Sequence, residues 1–234
     1  METFEFTRKT LASLLLSLRD NHHPTPTNVL EEAWRTKQII INKQINVEAF
    51  HPTMLSPLLA KLTKFTPESA GLSINEIASL GNHLEFAMVT STAIQNWVKR
   101  DVKELIGSPL HGKKYSIDQA AILFIVEDLK AILDFDSIRK VLTMIFNNPV
   151  DRSDDIIDPV HFYKCYSDIF NDLYKQDMSH ELETTIKEKA SEMILGLHID
   201  NEHQEIVENI LTISVLAIFS SCFQSKAKDY IKKL

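Results

Sequence analysis

Glycine and proline are scarce in this chain, 5 and 8 among 234 residues. So few backbone punctuators leave little room for the glycine-rich loops that cradle phosphates. No GxGxxG, Walker, HExxH or GxSxG pattern occurs, and no cofactor or enzymatic chemistry is expected. Cysteine is nearly absent: Cys165 and Cys222 stand far apart without metal-type spacing. That usage fits a reduced, cytoplasmic protein better than a disulfide scaffold. Long hydrophobic runs are missing too. The most apolar stretch, 210–223, is interrupted by Thr212, Ser214, Ser220 and Ser221. It falls short of the roughly 20 residues that span a bilayer, so no membrane partner is expected. The first residues carry Glu2 and Glu5 and no small-residue cleavage site, against a secretory signal.

What is present is helical periodicity. Apolar residues recur at three- and four-residue intervals, which predicts an all-α, multi-helix protein. Helices are expected over 6–19, 28–41 and 52–62, with a boundary at Thr66-Pro67. SINE (73–76) and SIDQ (116–119) are capping boxes, in which the serine side chain and the third residue on satisfy each other's backbone donors. They open helices at Ile74 and, after Ser116, over 117–133. A third helix, 135–146, follows Asp134 and ends before Pro149. Beyond an acidic loop, three further helices are expected over 161–174, 180–197 and 202–231. The chain thus divides into an N-terminal helical region (1–66), a middle domain (67–148) and a C-terminal helical bundle (149–234).

Charge is uneven. The net charge is −7, yet 91–115 holds Lys99, Arg100, Lys103, Lys113 and Lys114 against Asp101 and Glu104, a local +3 that leaves −10 elsewhere. A helical wheel over 91–103 places Ile94, Trp97, Val98 and Val102 on one side. Thr92, Asn96, Lys99 and Lys103 centre the other, flanked by Gln95 and Arg100. Amide side chains can bond base edges in a major groove while cations neutralise phosphates. An ordinary solvated face would look similar. The turn behind this helix, GSPLHGKK, holds two of the five glycines and two adjacent lysines before Tyr115. It reads as a small two-stranded wing over 107–115 resting on a nucleic-acid backbone, or as a plain interhelix loop.

In order and spacing, SINEIASL, TAIQNWVKRD, the turn ending in KKYS, QAAILFIVEDLKAI and LDFDSIRKVL resemble the MerR-type winged helix-turn-helix. More narrowly, QNWVKRD, GKKYS and IVEDLK resemble the uncharacterised bacterial family known as the domain of unknown function numbered 1836. The resemblance covers about 73–146. It implies sequence-specific binding of double-stranded DNA by a transcriptional regulator, usually a homodimer whose C-terminal part dimerises or senses a small-molecule effector. Base readers would be Thr92, Gln95 and Asn96. Phosphate contacts would be Lys99, Arg100, Lys103, Lys113, Lys114 and Tyr115. The link over 81–89 is longer than that family's tight turn.

Other candidates have plainer explanations. His161 and Cys165 share a helix face but lack a second ligand pair. In HIDNEH (198–203), Asp200 or Asn201 reads as a helix cap. The rival to DNA binding is a protein-interaction module whose basic face packs against the acids of 151–158.

Overall fold

The computed structural model describes residues 5–20, 24–42, 50, 55–65, 71–110, 112–149, 151–175, 181–197 and 199–234. Within them the chain forms eleven α-helices: α1 (Arg8–Asp20), α2 (Pro26–Asn42), α3 (Pro57–Leu62), α4 (Ile74–Gly81), α5 (Ser91–Asn96), α6 (Lys103–Ile106), α7 (Ile117–Leu129), α8 (Phe135–Leu142), α9 (Pro159–Tyr174), α10 (Leu182–Leu195) and α11 (Asn201–Ile231). No strand occurs among the described residues, only isolated bridges. The all-α expectation therefore holds. The expected boundary at Thr66-Pro67 lies outside the described residues, as do His22, His23 and His198.

Local chemistry fixes the helix starts. The Glu76 N–H donates to Ser73 Oγ (3.3 Å) while the Ser73 N–H donates to the Glu76 carboxylate (2.8 Å). Gln119 and Ser116 repeat the arrangement at 3.1 and 2.9 Å. Asp134 and Asp158 cap α8 and α9 by accepting from Ser137 N and His161 N.

Packing is organised around α7. It is apolar on every side, and all but Asp118 of its residues are buried. A helix of that kind must be covered all round. Helices α1, α9 and α11 do so, and α9 also packs directly on α1, α10 and α11. One hydrophobic core consequently runs from Phe6 to Phe219 through all three stretches that the sequence divides into domains. Its centre is aromatic, with Tyr163, Tyr166, Phe124, Phe146 and Phe162 fully buried.

Two arginines of α1 tie the helices together. Arg19 bonds Asp158 at the start of α9 and Asp118 in the first turn of α7 (3.2 Å). Burial alone would raise the Asp158 carboxyl; hydrogen bonds from His161 and Arg19 outweigh it and hold the group well below the usual carboxylate range. Arg8 is buried outright. Its Nε and Nη2 donate to Asp128 Oδ1 of α7 at 2.9 and 2.7 Å, and Tyr166 of α9 donates to Asp128 Oδ2 at 3.0 Å.

Helix α11 is the one described helix long and apolar enough to cross a membrane by length and composition. The helix expected over 202–231 forms as Asn201–Ile231, and the run 210–223, too short to span a bilayer, is only its apolar middle. Its middle, including Val207, Ile210, Leu211, Val215 and Ile218, is buried against the rest of the protein.

Candidate nucleic-acid interface

Thr90 starts the basic helix by accepting from Ala93 N at 3.1 Å. The inward side is as the wheel predicts: Ile94, Trp97, Val98 and Val102 are all buried. Trp97 meets Phe135 of α8 at a tilt (centroids 6.3 Å apart) and lies under Lys130 Nζ at 5.4 Å. On the outward side Thr92, Gln95, Asn96, Lys99, Arg100 and Lys103 are exposed.

The single α-helix expected over 91–103 is not continuous. After Asn96 the backbone widens into a π-helical turn, Trp97–Asp101, in which Val102 N donates to Trp97 O at 2.9 Å. Val102 leaves helical geometry (φ −134°) before α6 resumes. The cause is tertiary: Arg139 of α8 bonds the freed carbonyl of Asp101, and Val102 is drawn into the core. A π-turn inserts one residue and so re-aims the side chains beyond it, here Lys103.

The link between α4 and α5 shows why it is long. Gly81 sits where a Cβ would come within 2.6 Å of Val89, so only glycine lets the returning chain lie on α4. Asn82 Oδ1 accepts from Val89 N (3.0 Å), closing the link at its base. Phe86 turns the chain at φ 62°. From outside, the N-terminal segment holds it: Phe6 bridges Leu84, Phe6 N donates to His83 O (2.8 Å), and Arg8 Nη1 donates to Glu85 O (2.8 Å).

Behind α6, Gly107 adopts φ +69° with Pro149 3.1 Å from where its Cβ would stand. Among the described residues, 107–115 does not fold on itself as a two-stranded wing. Its one bridge is antiparallel to Leu72, just ahead of α4, with N–O distances of 2.8 and 2.9 Å. Gln119 anchors the base of this turn. Beyond its part in the capping box, its Nε2 donates to Ile106 O (2.7 Å) and Ser108 O (2.8 Å). A glutamate at 119 would keep the box and lose both donations, since a carboxylate has no N–H to give.

Of the expected phosphate contacts, Lys113 is exposed and Lys114 half-buried. Tyr115 is a correction. It is buried at the Leu72 bridge, and burial raises its hydroxyl pKa. Its ring serves packing, not a surface contact. Arg100 is exposed but bonds Asp101 (Nε to Oδ1, 2.6 Å). The acids of 151–158 do not cover this face. Among the described residues they bond Arg19, Arg152, Ser153 and the backbone at Asn147 and Asn148.

Similarity to known proteins includes this segment. Residues 70–166 match the family model described as Domain of unknown function (DUF1836). Uncharacterized protein YkrK of Bacillus subtilis (strain 168) is 36% identical over 232 residues, 97% of each chain. The chain belongs to the DUF1836 family. No solved structure matches it. The DUF1836 match runs from the Leu72 bridge to Tyr166, past the middle domain read from sequence and into α9. It thereby includes Asp128 and Tyr166 of the buried network but not Arg8.

The metal candidates end elsewhere. His161 Nδ1 lies 3.1 Å from Asp158, and Cys165 is buried, its thiol pushed up to about 11 by burial. Asp200 occupies the expected cap position of α11, though without a side-chain cap bond. Its carboxylate lies with Glu202 and His203 within 4.8 Å, at a cavity of about 550 Å³ that Asp154 and Asp155 also line.

Proposed function

We propose that this DUF1836 protein is a cytoplasmic, sequence-specific DNA-binding regulator that presents 91–103 to the major groove and the basic turn 107–114 to phosphates. One observation carries the reading: Ile94, Trp97, Val98 and Val102 anchor the helix while Gln95, Asn96, Lys99 and Lys103 are left exposed. The order of α4, link, α5, basic turn and α7 supports a MerR-like winged helix-turn-helix. In it the Leu72–Tyr115 bridge stands where a paired wing would be. Thr92, Gln95 and Asn96 are the base readers; Lys99, Arg100, Lys103, Lys113 and Lys114 hold the backbone.

The test is a mobility-shift titration over salt, on duplexes first enriched from a random pool. Changing Lys113 and Lys114 to Ala weakens binding to every sequence and lowers the salt slope by about one to two units. An unchanged slope removes the turn from the interface. In the same assay Asn96→Ala relaxes preference at one base pair; equal loss on enriched and random DNA removes Asn96 as a reader.

A protein partner is the second reading, favoured by Met88 and Leu110, which are exposed in the link and the turn. Retention on DNA cellulose at low but not high salt decides for nucleic acid, and passage through the column at both decides for the partner.

A further inference from the structure

We propose that the last turns of α11 lie on an anionic lipid surface, with the helix axis parallel to it. The helix outruns the body that it helps to build. Its last buried residue is Cys222, and none of 223–234 is buried. Crossing a bilayer takes about 20 apolar residues, whereas lying on one takes only an apolar arc with cations beside it. This end of the helix has both.

At roughly 100° per residue, Tyr230, Phe223, Ala227 and Ile231 follow one another across a single arc of about 100°. Phe223, Tyr230 and Ile231 are 45, 71 and 67% exposed, so the arc faces away from the core. Lysines border it on both sides. Lys226 stands beside Tyr230, with its ammonium over the Tyr174 ring (5.3 Å), and Lys228 stands beside Ile231. Lys233 follows and lies over the Tyr230 ring (5.1 Å), while Lys232, on the far side of the helix, bonds Asp229 (3.0 Å). Four lysines against one aspartate make 223–234 locally +3 in a chain of net −7.

That charge selects the occupant. A second copy laid on this end would set +3 against +3. Nucleic acid would take the lysines and leave Phe223 and Ile231 in water. An anionic lipid layer takes both groups. Its phosphates meet the ammoniums, which long stems let ride at headgroup level, and the arc sinks roughly 5–10 Å to the acyl boundary. Tyr230, apolar in its ring and polar at its tip, suits that boundary. The middle of α11 stays where it is, buried in the protein, so the helix rests on the layer without crossing it.

Sedimentation tests this with the full chain. It pellets with vesicles of equal parts phosphatidylserine and phosphatidylcholine, and stays in solution with phosphatidylcholine alone. Phe223→Ser with Tyr230→Ser abolishes pelleting with helical circular dichroism unchanged, because both side chains are exposed. Lys226→Gln with Lys228→Gln weakens partitioning by roughly thirtyfold, at about fivefold per lysine near the surface. A polarity-sensitive dye on Ala227→Cys shifts to the blue on the anionic vesicles, and one on Lys232→Cys does not; Cys165 and Cys222 are buried, out of reach of the label. No pelleting with anionic vesicles, equal pelleting with phosphatidylcholine alone, or pelleting that survives the double serine change overturns the proposal. So does a chain of twice 26.8 kDa that ignores vesicles, which gives the arc to a second copy. Lys113→Ala with Lys114→Ala leaves pelleting as in the parent; its loss there would move the lipid contact to the basic turn and overturn the assignment to α11. No nucleic acid enters these measurements, so their failure and failure of the DNA reading are told apart.

Discussion

Replacing Arg8 with alanine lowers stability by about 3–5 kcal/mol, because it strands a buried carboxylate. Both partners are almost wholly enclosed, their side chains 2% exposed. Burial opposes the arginine's charge, and the Asp128 carboxylate more than restores it, holding the guanidinium above its ordinary pKa. With the guanidinium gone, Asp128 keeps, among the described residues, the Tyr166 hydroxyl as its side-chain donor, and the Glu85 carbonyl loses the Arg8 donor. In a chain of this size each kcal/mol moves Tm by about 2–4 °C, so thermal melting followed by far-ultraviolet circular dichroism falls by roughly 6–20 °C. The double change Arg8→Met with Asp128→Leu is milder than Arg8→Ala, since neither charge is then left alone. A melting point for Arg8→Ala within two degrees of the parent, or a double variant worse than the single, would refute the account.

Trp97→Ala is the second large effect, about 3–5 kcal/mol by loss of a buried indole. The ring is buried beside Phe135 and beneath the Lys130 ammonium, so its removal leaves a large hole in the core. Under the proposed function it also frees the helix that carries Gln95 and Asn96. DNA affinity therefore falls for enriched and random duplexes alike, even at temperatures where the variant remains folded. Trp97→Phe keeps most of the packing and most of both properties. Urea denaturation checks the first claim, and an unshifted midpoint for Trp97→Ala would show that the indole anchors nothing.

Features set by neighbours in sequence are legible from it. Both capping boxes need only residues three apart, and Ser73 with Glu76 and Ser116 with Gln119 form as expected. The inward and outward sides of 91–103 come from spacing alone. Features set by distant partners are not legible. Nothing near Arg8 announces that a basic residue on the first helix meets Asp128, 120 residues on. The π-turn depends on Arg139 reaching Asp101 from another helix, and the link on Phe6, just ahead of α1, and Arg8 at its start. Tyr115 reads from sequence as a surface contact, although an aromatic ring two residues before the buried Ile117 is a signal for the core. The division into three domains overlooks a cue that is present: AAILFIV in α7 is apolar on all sides and needs cover from more than its own segment.

That shared cover bears on how the molecule is dissected in the laboratory. A fragment trimmed to 70–166 would carry Asp128 without Arg8 and the 82–89 connection without its clasp, and it would present the apolar flanks of the seventh helix to solvent. The stretch that defines the family is thus a sequence module whose hydrophobic core is completed by helices that lie outside it.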